Sequence, residues 1–428
     1  MQTVMDEHAL VDALRRDHVL LRVWQQLEVD ECWVAGGWIR DRALGIPAPD
    51  LDLVVQGDTD DVREIVERFA RKRNRAIRLL GQPPRAVFRL VGDDLKIEIW
   101  PLGDRTPEQD ARRRDFTCNA LLWRLPEGPL VDPTGGLRDV RARTVRAVSP
   151  DNLRRDPLRL LRGVRMVAGM DRSFLEEQTE VWIREQAENL GAVARERVGA
   201  ELRQLAAAPR AARGFLLAHR CGLLDHTSPS GRPTRTAAEG DLGPLLRLLD
   251  PATHPVPEAA RAAGIEGPLA WLAVSWGATS AAALSPFAWP QESAKTVVTA
   301  SRTLELMLAA CRASSPDRRE VIAKVGHAFP TSLSLACAID TDEGGEPSPW
   351  RRWWRQWRRS GTEIMFTRPP LSADEIAREL NLGPGPELGE AIRSLSRATI
   401  RREIRSVSGA IRWLRERSGE YAGRGGHS

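Results

Sequence analysis

The chain has 428 residues, 42% hydrophobic and 28% charged, an ordinary soluble globular composition and too long for one compact core. Lys and Arg number 63 against 58 Asp and Glu, a surplus that permits a nucleic-acid partner without showing one. Its five cysteines (Cys32, Cys118, Cys221, Cys311 and Cys337) are scattered, with no CxxC pair and no histidine at zinc spacing; the reading is therefore no zinc site and a reducing, cytoplasmic setting.

Residues 1–27 read as a leading amphipathic helix, charged and without the apolar core of a signal segment. From Glu31 to about Val148 short apolar runs alternate with helical ones, the mark of an α/β domain. Strands are expected at 32–35, 51–56, 76–80, 86–91 and 95–100, with a helix over 60–73. From Asp151 onward the periodicity is helical and strands disappear. Boundaries are suggested by the Ser/Pro/Thr-rich stretch 226–243 and by 340–349, rich in Gly, Glu and Pro. The stretch 267–291 carries no charge, but small polar residues and two prolines interrupt it, predicting a buried helix and a loop and not a membrane span. A last helical unit is expected over 372–417. The expected division is a head at 1–150, a neck at 151–225, a body at 226–349 and a tail at 350–428.

Gly36-Gly37-Trp38-Ile39-Arg40-Asp41 follows a short strand and opens a helix. Glycines there let backbone N–H groups approach a phosphate chain, and Arg40 sits one turn in. Next, Asp50 and Asp52 share one face of a strand while Leu51, Leu53 and Val55 share the other. Two adjacent carboxylates repel unless a cation lies between them, and oxygen ligands of that kind suit Mg²⁺. Glu98, between Ile97 and Ile99, repeats the arrangement on a later strand. In isolation these acids would read as the solvated face of half-buried strands.

The run GGWIRDRALGIPAPDLDLVV resembles the signature of the class II CCA-adding enzymes and bacterial poly(A) polymerases, within the polymerase-β-like nucleotidyltransferases. The resemblance implies an α/β head with a mixed five-stranded sheet, followed by an all-helical neck, body and tail. It implies that Asp50 and Asp52 hold two Mg²⁺ ions, with Glu98 as the further carboxylate. Gly36, Gly37 and Arg40 would hold a triphosphate. Residues 110–121 match the family's RRDFTxNAL segment, which implies Arg114 and Asp115 near the ribose, supported by Asn119. The turn at 132–139 matches the one that closes the head.

Residues 156–165, DPLRLLRGVR, match the neck segment. With Asp156 at the helix start, Asp156, Arg159 and Arg162 line one helical face. The resemblance makes Asp156 and Arg159 the readers of the C or A base edge, with Arg197 a partner for the base or for that pair. Relatives often carry Glu before the Asp, where this chain has Arg155. Residues 381–389 resemble a turn in the tail of many CCA-adding enzymes, and no His-Asp dyad of a phosphohydrolase occurs.

The implied activity is addition of CCA, or only CC, to tRNA 3′ ends from CTP and ATP, with poly(A) polymerase as the alternative product chemistry. Only fourteen residues separate Glu98 from Arg113, a short connection that in this family is associated with adding CC alone. A catalytically silent RNA-binding relative is the reading from another class. Trp350, Trp353, Trp354 and Trp357 form one helical stripe among arginines, which reads first as a core seam and second as an RNA contact.

Overall fold

A computed structural model of the chain describes residues 4–48, 50–81, 86–91, 95–231, 242–278, 280–313, 317–342 and 347–421. It divides into two compact units, Met1–Pro233 and Thr234–Ser428.

The first unit opens with two helices where a single one was expected, α1 (Glu7–Arg15) and α2 (His18–Leu27). Asp17 makes the break: its carboxylate accepts from the N–H groups of Val19 and Leu20, capping α2. The same side chain accepts from Trp38 Nε1 at 3.2 Å and pairs with Arg42 at 2.5 Å, tying the leading helices to the one that follows the glycine turn.

The sheet is built from β1 (Cys32–Ala35), β2 (Asp50–Val55), β3 (Ala76–Leu80), β4 (Val87–Val91) and β5 (Lys96–Pro101), within a residue or so of the expected strands. Two more strands, β6 (Leu122–Arg124) and β7 (Leu130–Val131), extend it to seven, in the order β3-β4-β5-β2-β1-β6-β7. The five-stranded expectation is corrected accordingly; β6 and β7 are too short to show a period of two. The sheet is mixed: β2 and β5 run parallel and the other neighbours antiparallel. Parallel pairing needs a crossover, which runs through α4 (Thr59–Arg73) and the β3–β4 pair. Alternation on β2 buries Leu51 and Leu53 completely and leaves Asp50 exposed and Asp52 half-buried on the other face.

Between β1 and β2 lies α3 (Gly37–Leu44); between β5 and β6 lies the short α5 (Pro107–Ala111). After the turn helix α6 (Gly136–Arg141), β8 (Thr144–Val145) pairs with β9 (Phe174–Leu175), so one strand does occur beyond Asp151. The remainder of this unit is helical, led by α7 (Pro150–Arg155), α8 (Leu158–Gly169), α9 (Glu177–Glu185) and α10 (Arg195–Ala206).

The described part of the second unit is helical. The helix Glu266–Ser275 is buried along most of its length, as the uncharged stretch predicts. Among the described residues, one stretch, Arg318–Thr341, is long and apolar enough to cross a membrane, and 67% of its apolar window is buried. The helix Pro347–Phe366 resolves the tryptophan question. Trp350 and Trp353 are fully buried, Trp350 Nε1 donates to Asp340 at 2.8 Å, and Trp357 stacks on Phe329 at 4.9 Å. The stripe is a core seam, and Arg351, Arg352, Arg355, Arg358 and Arg359 face solvent opposite it. All five cysteines are free thiols.

Candidate active site

The glycine turn, β2 and the segment after α5 meet at one place. Gly36 has φ +66°, a left-handed value that glycine adopts without strain. A Cβ there would lie 3.3 Å from Arg114 Nη1, 3.5 Å from the Asn119 carbonyl and 3.7 Å from Asp52 Oδ2. Three sequence-predicted groups thus converge on a cradle that a side chain would fill.

Asp50 and Asp52 face the same side of β2, and the parallel register sets Asp50 opposite Lys96 and Asp52 opposite Glu98. Burial pushes the Asp52 carboxyl up to about 6; Glu98 adds to this, and the charges of Arg114, Lys96 and Arg162 oppose it. A half-buried carboxylate beside another acid gains from a nearby hard cation, so Asp50 and Asp52 fit a divalent ion as oxygen ligands. Glu98 differs. Arg89 reaches its carboxylate at 2.6 Å and Lys96 at 3.2 Å, so it is already paired. Among the described residues no three acids, histidines or cysteines form a ready metal cluster. Lys96 also lies 3.7 Å from Asp50. Sequence reasoning missed both cations, although Lys96 alternates with Glu98 just as Asp50 does with Asp52.

Behind this face runs a chain of charged and amide groups. Arg40 pairs with Asp41 at 2.8 Å and donates through Nη1 to Asn119 Oδ1 at 2.6 Å. Asn119 Nδ2 donates to Asp115 Oδ1 at 3.1 Å, and Arg162 from α8 reaches Asp115 Oδ2 at 3.0 Å. Burial alone would raise the Asp115 carboxyl. The Arg162 and Arg159 charges, with the donors Asn119 and the Phe116 N–H, outweigh it and hold the group below its usual value. Arg40, Asn119, Asp115 and Arg162, chosen separately from three motifs, therefore form one continuous network.

The proposed base readers are arranged differently from the expectation. Asp156 is not in the first turn of α8; it caps the C-terminus of α7 in extended conformation, with φ −143° and ψ 90°. The residue before a proline is driven out of the helical region by the ring, and here that residue is Asp156. Its carboxylate takes Arg197 Nη2 from α10 at 3.0 Å. Arg159 turns instead to backbone, donating to the carbonyls of Arg113 and Asn152 at 3.0 Å each. Asp156 and Arg159 thus do not share one helical face; Asp156 takes Arg197, the partner expected for the pair, while Arg162 joins the Asp115 network.

Asn152, which sequence reasoning did not single out, donates to the carbonyls of both Arg112 and Arg114 at 2.8 Å. Together with Arg159 it seizes three consecutive carbonyls of the segment. The turn at 132–139 locks the other end. Asp132 accepts from the Gly136 N–H at 2.6 Å, Thr117 donates to Asp139 at 2.7 Å, and a Cβ on Gly136 would sit 2.1 Å from the Thr117 carbonyl.

Residues 32–146 match the family described as the poly A polymerase head domain, and residues 174–232 match a probable RNA- and SrmB-binding site of polymerase A. The A-adding tRNA nucleotidyltransferase of Deinococcus radiodurans is 38% identical over 214 residues, 48% of this chain and 47% of that one. This chain therefore spans about half the length of that relative. The CC-adding tRNA nucleotidyltransferase of Geobacter sulfurreducens is 28% identical over 397 residues, covering 89% of this chain and 91% of that one. The crystal structure of the Bacillus stearothermophilus CCA-adding enzyme in complex with CTP superposes over 98% of this chain and 99% of that one, with a TM-score of 0.67 and 22% identity, a likeness of fold.

Proposed function

We propose, for a chain that belongs to the family of class II CCA-adding enzymes and bacterial poly(A) polymerases, the activity of a template-independent tRNA nucleotidyltransferase. It adds CCA, or only its CC portion, to a tRNA 3′ end from CTP and ATP. The observation that carries this reading is the convergence of Asp50 and Asp52 on one strand face with the glycine turn and Arg114. Enzymes of this family generally use a divalent metal, and we assign Mg²⁺, held by Asp50 and Asp52. When bound, it supplies neutralisation of triphosphate charge and a more acidic 3′-hydroxyl.

The protein's own groups do the rest. Gly36, its own N–H held by the Leu121 carbonyl, turns the chain so that the start of α3 from Gly37 offers N–H groups to phosphate oxygens. Arg114 Nη1 faces the same cradle and places positive charge where the triphosphate lies. The Arg40–Asn119–Asp115–Arg162 network orients the ribose-facing segment. Asp156 and Arg159 supply acceptor and donor for the edge of C or A. Asp156 keeps Oδ1 for that purpose while Oδ2 holds Arg197. Glu98 anchors Arg89 and Lys96 beside Asp50 and acts by setting the local field.

The exposed arginine face of the helix Pro347–Phe366 is assigned to the tRNA backbone, since tRNA is a polyanion and arginine suits phosphate. The setting is the cytoplasm, where free thiols persist.

The test uses tRNA transcripts ending before CCA, after C and after CC, with CTP and ATP given separately and together. Addition stalling at CC identifies a CC-adding enzyme, and completion identifies a CCA-adding one. A added only to the CC-ended transcript, or long A tails on unrelated RNA, would overturn the assignment. So would Mg²⁺-dependent incorporation that survives Asp50→Ala.

A further inference from the structure

The short connection between β5 and the nucleotide-facing segment is a built structure and not a slack loop. Leu102 is fully buried and its N–H bonds the Val55 carbonyl at 2.9 Å; Gly103 N–H bonds Gly57 at 2.8 Å. Thr106 and Gln109 then form a reciprocal cap that starts α5, and Ala111 packs, fully buried, among Trp33, Val54, Leu102 and Leu122. These contacts hold α5 against the sheet and fix where Asp110 stands.

Asp110 Oδ2 accepts two hydrogen bonds from Arg114, from Nε at 3.1 Å and from Nη2 at 2.9 Å. Asp110 Oδ1 lies 3.7 Å from Arg105 Nε, and Arg105 is itself fixed to the Pro101 carbonyl at 3.0 Å. Both side chains of the Asp110–Arg114 pair are largely shielded, at 18% and 19% exposure. The backbone around Arg114 is held separately by Asn152 and Arg159. With Nε and Nη2 engaged, the nitrogen left to act is Nη1, which faces the Gly36 and Asp52 cradle.

We propose that Asp110 is a positioning residue that fixes the Arg114 guanidinium, so that Nη1 meets the incoming nucleoside triphosphate in the cradle between Gly36 and Asp52. This rests on the nucleotidyl-transfer reading and deepens it. A guanidinium gripped along its Nε–Nη2 edge has lost the rotamer freedom it would otherwise lose on binding nucleotide. The short connection thereby acts on nucleotide affinity through one carboxylate.

The experiment is steady-state CTP incorporation onto a tRNA lacking its CCA end, with KM for CTP and kcat measured separately. Asp110→Asn keeps the size of the side chain and removes the charge. It is expected to raise KM for CTP about tenfold with kcat within about twofold, while Asp110→Glu recovers most of the loss. In an Arg114→Ala background, Asp110→Asn is expected to add nothing, because its only route to the nucleotide is gone. An unchanged KM in Asp110→Asn overturns the proposal. So does a loss of equal size in the Arg114→Ala background, or a fall in kcat that tracks a lowered melting temperature. Failure of the underlying reading is separate and visible beforehand: a wild type that incorporates neither CTP nor ATP overturns the function itself, and the positioning role with it.

Discussion

Arginine is used in two ways in this molecule. Around the glycine turn of the first unit, Arg40, Arg114, Arg159 and Arg162 each have a carboxylate, an amide or a backbone carbonyl that fixes the guanidinium. On the helix Pro347–Phe366 of the second unit, no described hydrogen bond or ion pair engages Arg352, Arg355, Arg358 or Arg359. The first set has geometry; the second has only charge. Positioned donors favour one arrangement of a ligand, whereas an unpaired basic face attracts any polyanion and is screened by salt.

Four measurements test this contrast between positioned and unpositioned groups. Asp52→Asn removes a charge around which the first set is arranged, and incorporation should fall by about a thousandfold or more, with the circular dichroism spectrum unchanged. Retained activity would break the link between the carboxylate face and the chemistry. Asp115→Ala leaves Asn119 and Arg162 without their shared acceptor; Arg162 is 42% exposed, so water recovers part of the loss. Chemical denaturation should show the protein less stable by about 2 kcal/mol.

Replacing Arg355, Arg358 and Arg359 together by Glu should leave melting unchanged and weaken tRNA binding about tenfold at moderate salt, with a shallower salt dependence in filter binding. Equal loss of stability would show that these arginines are positioned after all. The smallest effect concerns His254, an engaged group in the second unit, buried and bonded to the Val256 N–H at 3.0 Å and facing Ser334. Burial holds its pKa below the ordinary value of 6.5. The unfolded chain therefore takes up the proton first, and stability is lost as pH falls below that value. Melting temperature should drop between pH 7 and pH 5, and drop less in His254→Gln.

Much of this was legible in the sequence. The alternation around Asp50 and Asp52 and the tryptophan seam follow from periods of 2 and 3.6, and the glycine turn from two glycines between a strand and a helix. The strands β6 to β9 escaped because two or three residues carry no period. The Asp156 misreading has a different origin. Pro157 pointed to a helix start, yet the same ring forbids its predecessor a helical conformation, and that predecessor was the residue of interest. Arg197 was named as a partner and does take Asp156, whereas Asn152 and Arg89 were overlooked because their contacts close over a long separation or across strands, where local pattern is silent.

The grip of Asn152 and Arg159 on three successive carbonyls bears on where the polypeptide can be cut. A fragment ending near residue 150 would contain every strand of the main sheet and both carboxylates of β2. It would also hand those carbonyls, and the Asp115 carboxylate, back to water. Such a fragment is a sheet without its keystone. The compact unit that keeps these contacts runs on to Pro233, and in trans the helices beyond residue 150 should re-dock on the truncated head as a complementing peptide.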